Sequence, residues 1–246
     1  MLNRIKPLLQ RTPIVGGACA RLALWYHSWP TRGMSREEAF THIFRHNGWR
    51  GVDSRSGGGS DLAQTRRIIS ELPLLMKDFG IRSMLDLPCG DFYWMRHLDL
   101  QGIDYIGGDI VSELISGNKQ FESPNVTFEL LDLLSSPLPR VDLIFCRDGL
   151  VHFSFRDVFA ALDNMVRSGS TFLLTTTFPR HRRNYEIRTG AWRTLNLELA
   201  PFGLRRPLRV LEEGCTESVR YADKSLGLWR IADLPEAVER ARLGEA

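Results

Sequence analysis

The sequence predicts an α/β fold, a three-layer sandwich in which a mostly parallel seven-stranded sheet lies between helices. Two observations carry that expectation. From Ser83 onward, short apolar runs bounded by turn residues alternate with helical stretches, and the last two runs are joined by a turn region instead of a helix, as suits an antiparallel final pair. The composition permits it: 246 residues, 43% hydrophobic and 25% charged, make one ordinary globular domain or at most two small ones.

The first 36 residues carry six basic side chains (Arg4, Lys6, Arg11, Arg21, Arg32, Arg36) and no acid, although the whole chain is only +3. The remaining 26 basic and 29 acidic residues leave the rest at −3, so the basic character belongs to an N-terminal arm. No window reaches the roughly 18 to 20 uninterrupted apolar residues of a membrane span. Arg4, Lys6 and Arg11 ahead of Ala18-Cys19-Ala20 have the outline of a signal peptide, but the apolar core, Pro13 to Gly17, is too short. A transit peptide would carry more Ser. Cys19, Cys89, Cys146 and Cys215 lie far apart without ligand spacing, so the expectation is a reduced, cytoplasmic protein with no metal.

Ser35 with Glu38 three residues later forms a capping box that opens a short helix, Glu37 to Arg45. Residues 47–60 are a Gly/Ser-rich loop, whose Ser54–Ser60 part, flanked by Trp49, is read as a backbone-amide cradle or a lid or, alternatively, a flexible linker. Arm and lid make one unit, 1–60, ahead of a body at 61–246. Asp61 is placed to cap an amphipathic helix with Leu62, Ile68, Ile69, Leu72, Leu75, Met76 and Phe79 on its apolar side, and Pro73 is expected to kink or restart it. Strands are predicted at Ser83–Leu87, Tyr105–Gly108, Val126–Leu131, Val141–Cys146, Thr171–Thr176, Leu208–Glu212 and Leu226–Ile231. Helical stretches are predicted at Phe92–Leu98, Val111–Gln120 and Phe155–Val166.

Open α/β sheets bind ligands at the carboxyl ends of their central strands, so those ends hold the candidate site. The first strand ends in Asp86-Leu-Pro-Cys-Gly-Asp91, the second in Gly107-Gly-Asp109 and the third in Leu131-Asp132. The fourth runs into Arg147-Asp-Gly-Leu-Val-His152. Solvation alone does not place Asp at the end of three successive strands.

This succession resembles the class I S-adenosylmethionine-dependent methyltransferases, over roughly Arg66 to Ile231. The resemblance implies a Rossmann-like fold, S-adenosylmethionine as cofactor and a methyltransferase activity. It implies cofactor contacts from the turn Asp86, Pro88, Cys89, Gly90 and Asp91 under the methionine part. It further implies Asp109 on the ribose hydroxyls, Ile110 against the base, Asp132 and the Leu133 amide on the adenine edge, and Arg147 beside the sulfonium. Of the family's acidic-x-Gly-x-Gly-x-Gly turn only the middle glycine, Gly90, is present, and Phe92 stands for the third. An NAD-binding Rossmann domain would require GxGxxG, which this turn does not supply.

Asp148 and His152, four residues apart, are the candidate general bases. His152 titrates nearer neutrality, whereas Asp148 would need its pKa raised by burial. The alternative is that His152 packs and Asp148 caps a turn, since methyl transfer also proceeds largely by alignment. Pro179 to Arg209 carries eight Arg against Glu186 and Glu198. There Arg183, Asn184, Trp192, Arg193 and Asn196 are candidate acceptor contacts, arginine for phosphate or carboxylate and Trp192 as a stacking face; a solvated basic face is the alternative. The expected acceptor is a small molecule or glycan, anionic, methylated on a hydroxyl. Alternatives are an RNA or other nitrogen acceptor held by the basic arm and this Arg-rich segment, and a non-catalytic cofactor binder. The −3 body and the lack of a recognised RNA-binding module count against nucleic acid. The arm, with Trp25 and Trp29, either packs beside the acceptor side or docks on an anionic surface such as a membrane.

Overall fold

The computed structural model describes Thr31 to Leu234. The leader-like segment, Cys19, Trp25 and Trp29 lie outside the described residues. Seven strands form one sheet: β1 (Ser83–Asp86), β2 (Asp104–Asp109), β3 (Val126–Leu130), β4 (Leu143–Cys146), β5 (Phe172–Thr177), β6 (Arg209–Glu212) and β7 (Ser225–Arg230). Their order is β3-β2-β1-β4-β5-β7-β6. Strands β1 to β5 pair in parallel, and β7 runs antiparallel to β5 and β6. The chain winds outward from β1 through β2 and β3, then restarts at β4 on the other side, which opens a crevice above the ends of β1 and β4.

Helices α1 (Arg36–Arg45), α2 (Leu62–Asp78), α3 (Ser112–Asn118) and α4 (Phe155–Arg167) flank the sheet. Strand alternation sorts the apolar side chains into two cores. Leu85, Ile144, Leu173 and Trp229 meet α1 through Phe40 and Ile43, and α4 through Val158, Ala161 and Leu162. Met84, Leu143, Leu174 and Leu228 meet α2 through Ile68, Leu72 and Met76. Each fully buried side chain of this size contributes about 1.5–3 kcal/mol, which is why short strands suffice here.

Among the described residues, no helix is long and apolar enough to cross a membrane. The predicted strands are present with shifts of one or two residues at their ends, and the Ser35–Glu38 capping box forms. Three local expectations are corrected. Phe92 to Leu98 is a turn with a short 3-10 segment at Met95–His97, because Phe92 itself takes φ +56°, a left-handed conformation that a helix cannot propagate through. α2 does not restart at Pro73 but continues as one helix from Leu62 to Asp78, with Leu72, Leu75 and Met76 all buried. Asp61 occupies the N-cap position, but its side chain makes no cap bond; it accepts instead from the Asp53 amide at 3.3 Å.

Candidate functional site

A cavity of about 1030 Å³, including its open mouth, is lined from the ends of β1 to β4. Arg36, Phe40 and Phe44 of α1 line it as well, with Trp49 and the Gly-rich segment through Arg55, Ser56 and Ser60. Residues 36–60 are thus built into the site, and the boundary at residue 60 divides the sequence but not the cavity.

The turn after β1 is shaped by contacts with that segment. Gly90 has φ +57°, and a Cβ there would lie 2.2 Å from the Ser56 Oγ, so any side chain would displace Ser56. Asp91 holds the segment down: it accepts from Ser54 Oγ at 2.9 Å, the Arg55 amide at 2.7 Å and Ser56 Oγ at 3.2 Å. Its carboxylate lines the cavity, yet most of its acceptor capacity goes to this anchoring. Asp86, at the strand end, is 4% exposed and accepts from Tyr105 Oη at 2.7 Å. Burial raises its carboxyl to about 8, against the opposing effect of the Tyr105 bond. Pro88 and Cys89 line the cavity between these two carboxylates.

Asp109 is held by the backbone on both sides. One oxygen accepts from the Gly90 amide at 3.1 Å and the other from the Val111 amide at 2.9 Å. Each oxygen keeps a second lone pair, so the carboxylate is oriented and still able to accept from two neighbouring hydroxyls. Burial raises its pKa to about 6, which the amide bonds partly offset. Ile110 and Leu133 line the same cavity. Asp132 accepts from the Leu134 amide at 3.0 Å and Ser135 Oγ at 2.7 Å. It also forms an ion pair of 2.5 Å with Arg36 of α1. Burial opposes its ionisation, but Arg36, Ser135 and Leu134 outweigh it and hold the carboxyl below its ordinary value.

Past β4 lies a buried charge cluster that local sequence does not reveal. Arg147 donates to Glu213 through Nη2 (2.7 Å) and Nε (3.2 Å), and to the Gly59 carbonyl at 2.7 Å. It lines the cavity, with Trp94 5.5 Å from its guanidinium carbon, but its donors are largely committed to protein acceptors. Lys224, 5% exposed, forms an ion pair of 2.5 Å with Asp148. Burial works against the Asp148 charge, but Lys224 and Arg147 outweigh it and hold the carboxyl well below the usual carboxylate range. The raised pKa that the sequence expectation asked of Asp148 is thus not what its surroundings favour.

His152 differs. It is 9% exposed, and its Nδ1 lies 2.8 Å from the Ala191 carbonyl oxygen. A carbonyl only accepts, so Nδ1 carries the proton and the Nε2 lone pair is left available. Burial lowers the ring's pKa, against the opposing effects of the Ala191 bond and Asp148. His152 lines the cavity beside Trp49, whose ring centroid is 5.2 Å away, and Phe40 at 6.5 Å.

The five candidates after β5 do not line this cavity. Asn184 donates to the Asn196 and Ala200 carbonyls and accepts from the Asn196 amide. Asn196 donates to the Pro179 and His181 carbonyls and accepts from the Glu198 amide. Trp192 packs against Tyr221 and Phe178 at 4.9 and 6.1 Å. Arg183 is exposed, and Arg193 is buried behind His152. The residues missed in the sequence are chiefly Arg36 and Phe40, whereas Trp49, Arg55 and Ser56 belong to the loop expected there as a cradle or lid and do line the cavity. The amphipathic spacing of α1 was a signal for a packed element there, but not for a cavity wall.

The donor set fits S-adenosylmethionine. A glycine turn with no room for a Cβ, an oriented carboxylate at the end of β2 and a second at the end of β3 line one cavity, the set of groups that a nucleoside with an amino-acid tail requires. No protein-family model and no curated protein matches the chain. Among solved structures, human N-acetylserotonin methyltransferase in complex with SAM aligns with a TM-score of 0.57 at 16% identity, over 83% of this chain and 61% of that one. The chain therefore spans about 61% of the length of that enzyme. The methyltransferase domain of bacterial CtHen1 aligns with a TM-score of 0.51 at 12% identity, over 69% of this chain and all of that domain. Likeness at such identities identifies a fold, and the fold is that of the class I S-adenosylmethionine-dependent methyltransferases.

Proposed function

We propose that this chain is an S-adenosylmethionine-dependent methyltransferase acting on the hydroxyl of a small-molecule acceptor. The observation that carries the reading is the convergence of Asp86, Asp109 and Asp132, from three successive strand ends, on one cavity that also holds His152. When bound, the cofactor supplies an electrophilic methyl group on a sulfonium. Asp109 would accept from the ribose hydroxyls and Asp132 from the adenine amino group, through the lone pair left on its Leu134-bonded oxygen. The Gly90 turn and Arg55 would lie along the methionine tail, while α1, Trp49 and the Gly-rich segment keep water out.

His152 takes the acceptor proton on Nε2, while Ala191 steadies the imidazolium that forms through Nδ1. The lowered pKa keeps the ring neutral, and so able to act as a base, at neutral pH. Asp148, neutralised by Lys224, contributes charge near the ring and no proton transfer. The acceptor approaches along Trp49, which offers the aromatic face that the sequence reading sought at Trp192. Arg55 would favour an anionic acceptor.

A second reading, methylation of RNA, is favoured by the exposed Arg180, Arg182, Arg183 and Arg188 outside the cavity. It requires binding that weakens steeply with salt. The test is calorimetric binding of S-adenosylhomocysteine, followed by turnover with methyl-labelled cofactor against phenols, sugars, sugar nucleotides and RNA. Binding with transfer to a hydroxyl compound is the expected result. Binding without transfer to any of them would favour a non-catalytic cofactor binder, and no binding would overturn the reading.

A further inference from the structure

Three consecutive carbonyls leave the short turn that carries His152, and the segment after β5 collects all three. The Arg193 amide donates to the Val151 carbonyl at 3.1 Å and the Gly190 amide to the His152 carbonyl at 2.9 Å. Arg193 Nη1 donates to the Phe153 carbonyl at 2.6 Å, with a longer contact of 3.5 Å to Val151. The ring is held by the same segment, through Nδ1 and the Ala191 carbonyl.

Arg193 is an expensive residue for this place. It is 4% exposed, its guanidinium carbon lies 5.1 Å from the Phe155 ring centre, and its Nε and Nη2 have no hydrogen-bond partner. Burial lowers its pKa to about 10, which still leaves it a cation at neutral pH. Burying a cation with two of its three nitrogens unpaired opposes folding, and an apolar side chain would fill the space at lower cost. What the guanidinium adds is a fixed reach to the carbonyl on each side of the imidazole.

We propose that Arg193 is a positioning residue for His152: by tying the Val151 and Phe153 carbonyls to the segment that also receives Nδ1–H, it holds the ring in one tautomer with Nε2 presented to the cavity. This rests on the reading of His152 as the base. It also reassigns Arg193 from acceptor contact to support of the ring. The charged groups facing His152 are Asp148, which favours the protonated ring, and Lys224 and Arg193, which disfavour it. From α1 and the segment after it the ring meets Phe40 and Trp49, which do not titrate.

The experiment follows the imidazole ¹⁵N shifts of the full chain across pH in the wild type, Arg193→Met and Arg193→Lys, with the His152 signal assigned by its loss in His152→Gln. S-adenosylhomocysteine binding is measured on the same samples. Wild type should show the Nδ1–H tautomer alone and titrate below the ordinary histidine range. Arg193→Met should populate the second tautomer and titrate higher than wild type, with cofactor affinity within about twofold. Arg193→Lys keeps the charge but loses the fork, so it should mix tautomers while titrating close to wild type. Wild-type tautomer and titration in Arg193→Met overturn the proposal; if that variant does not fold, an unmixed tautomer in Arg193→Lys does so. None of these signals needs an acceptor. A failure of the base reading shows separately, as undiminished turnover in His152→Gln.

Discussion

The strand ends of the first half and the segment after β5 look alike in sequence: both are dense in polar side chains with ligand-binding chemistry. They behave oppositely in the fold. Asp109 and Asp132 accept backbone amides, keep further acceptor capacity and line the cavity. Asn184 and Asn196 spend their side chains on carbonyls and amides of their own loop. A long irregular segment without strand or helix must satisfy its backbone groups somewhere, and these side chains do it. Polar density marks a ligand site only where the local backbone does not consume it.

The largest expected effect lies where the two regions meet. His152→Gln should lower turnover by about 10²–10⁴-fold, the range of general base catalysis, with S-adenosylhomocysteine affinity unchanged. Wild-type turnover in that variant would leave alignment as the main source of rate.

Asp109→Ala should weaken S-adenosylhomocysteine binding by about 10- to 100-fold, since hydrogen bonds to a charged acceptor contribute about 1.5–3 kcal/mol. Asn184→Ala should instead destabilise folding by about 1–3 kcal/mol through stranded carbonyls and leave the affinity of the folded protein alone. A calorimetric titration and a denaturant melt of both variants test the contrast directly; if Asn184→Ala lost cofactor affinity at full stability, the contrast between the regions would be wrong.

A pH titration sharpens the strand-end side. Burial holds the Asp86 carboxyl at about 8 and Asp109 at about 6. Above about pH 4, where carboxyls of the unfolded chain ionise, the folded chain therefore retains protons that the unfolded chain has released. The contribution of these two carboxyls to stability should fall as pH rises from about 4 to about 8 and then level off, while His152, whose pKa is lowered in the fold, works the other way up to about pH 6.5. Asp86→Asn should remove the decline between about pH 6 and 8 in thermal unfolding; an unchanged slope there would mean that Asp86 is ionised in the fold.

The smallest effects concern α1 and the exposed basic face. Arg36→Met breaks a partly exposed ion pair, for which about 1 kcal/mol of stability is an upper expectation. Its effect on S-adenosylhomocysteine affinity should be a loss of no more than about fivefold by the same measure. A gain in affinity would show instead that Arg36 competes with adenine for Asp132. Arg183→Ala should change neither stability nor turnover on a small acceptor beyond the roughly 0.5 kcal/mol typical of surface sites.

The seven strands, most of the helices and the strand-end carboxylates were legible in the sequence, because hydrophobic period, turn chemistry and caps are local. The Phe92–Leu98 stretch misled for a local reason as well, since nothing in its pattern announces the left-handed Phe92. Lys224 and Asp148 are 76 residues apart, and Arg147 and Glu213 are 66 apart. Neither pair has a spacing signal, yet the first holds the Asp148 carboxyl below the usual carboxylate range.

By itself, then, the sequence determined the α/β architecture and which strand ends would carry acids, since these follow from interactions within a few residues. Tertiary structure alone decided which polar groups face the cavity, that α1 and Trp49 form its wall, and that Arg193 braces His152. Whether a side chain meets ligand, backbone or counter-ion depends on what the fold brings against it. Its protonation state depends on the same neighbours.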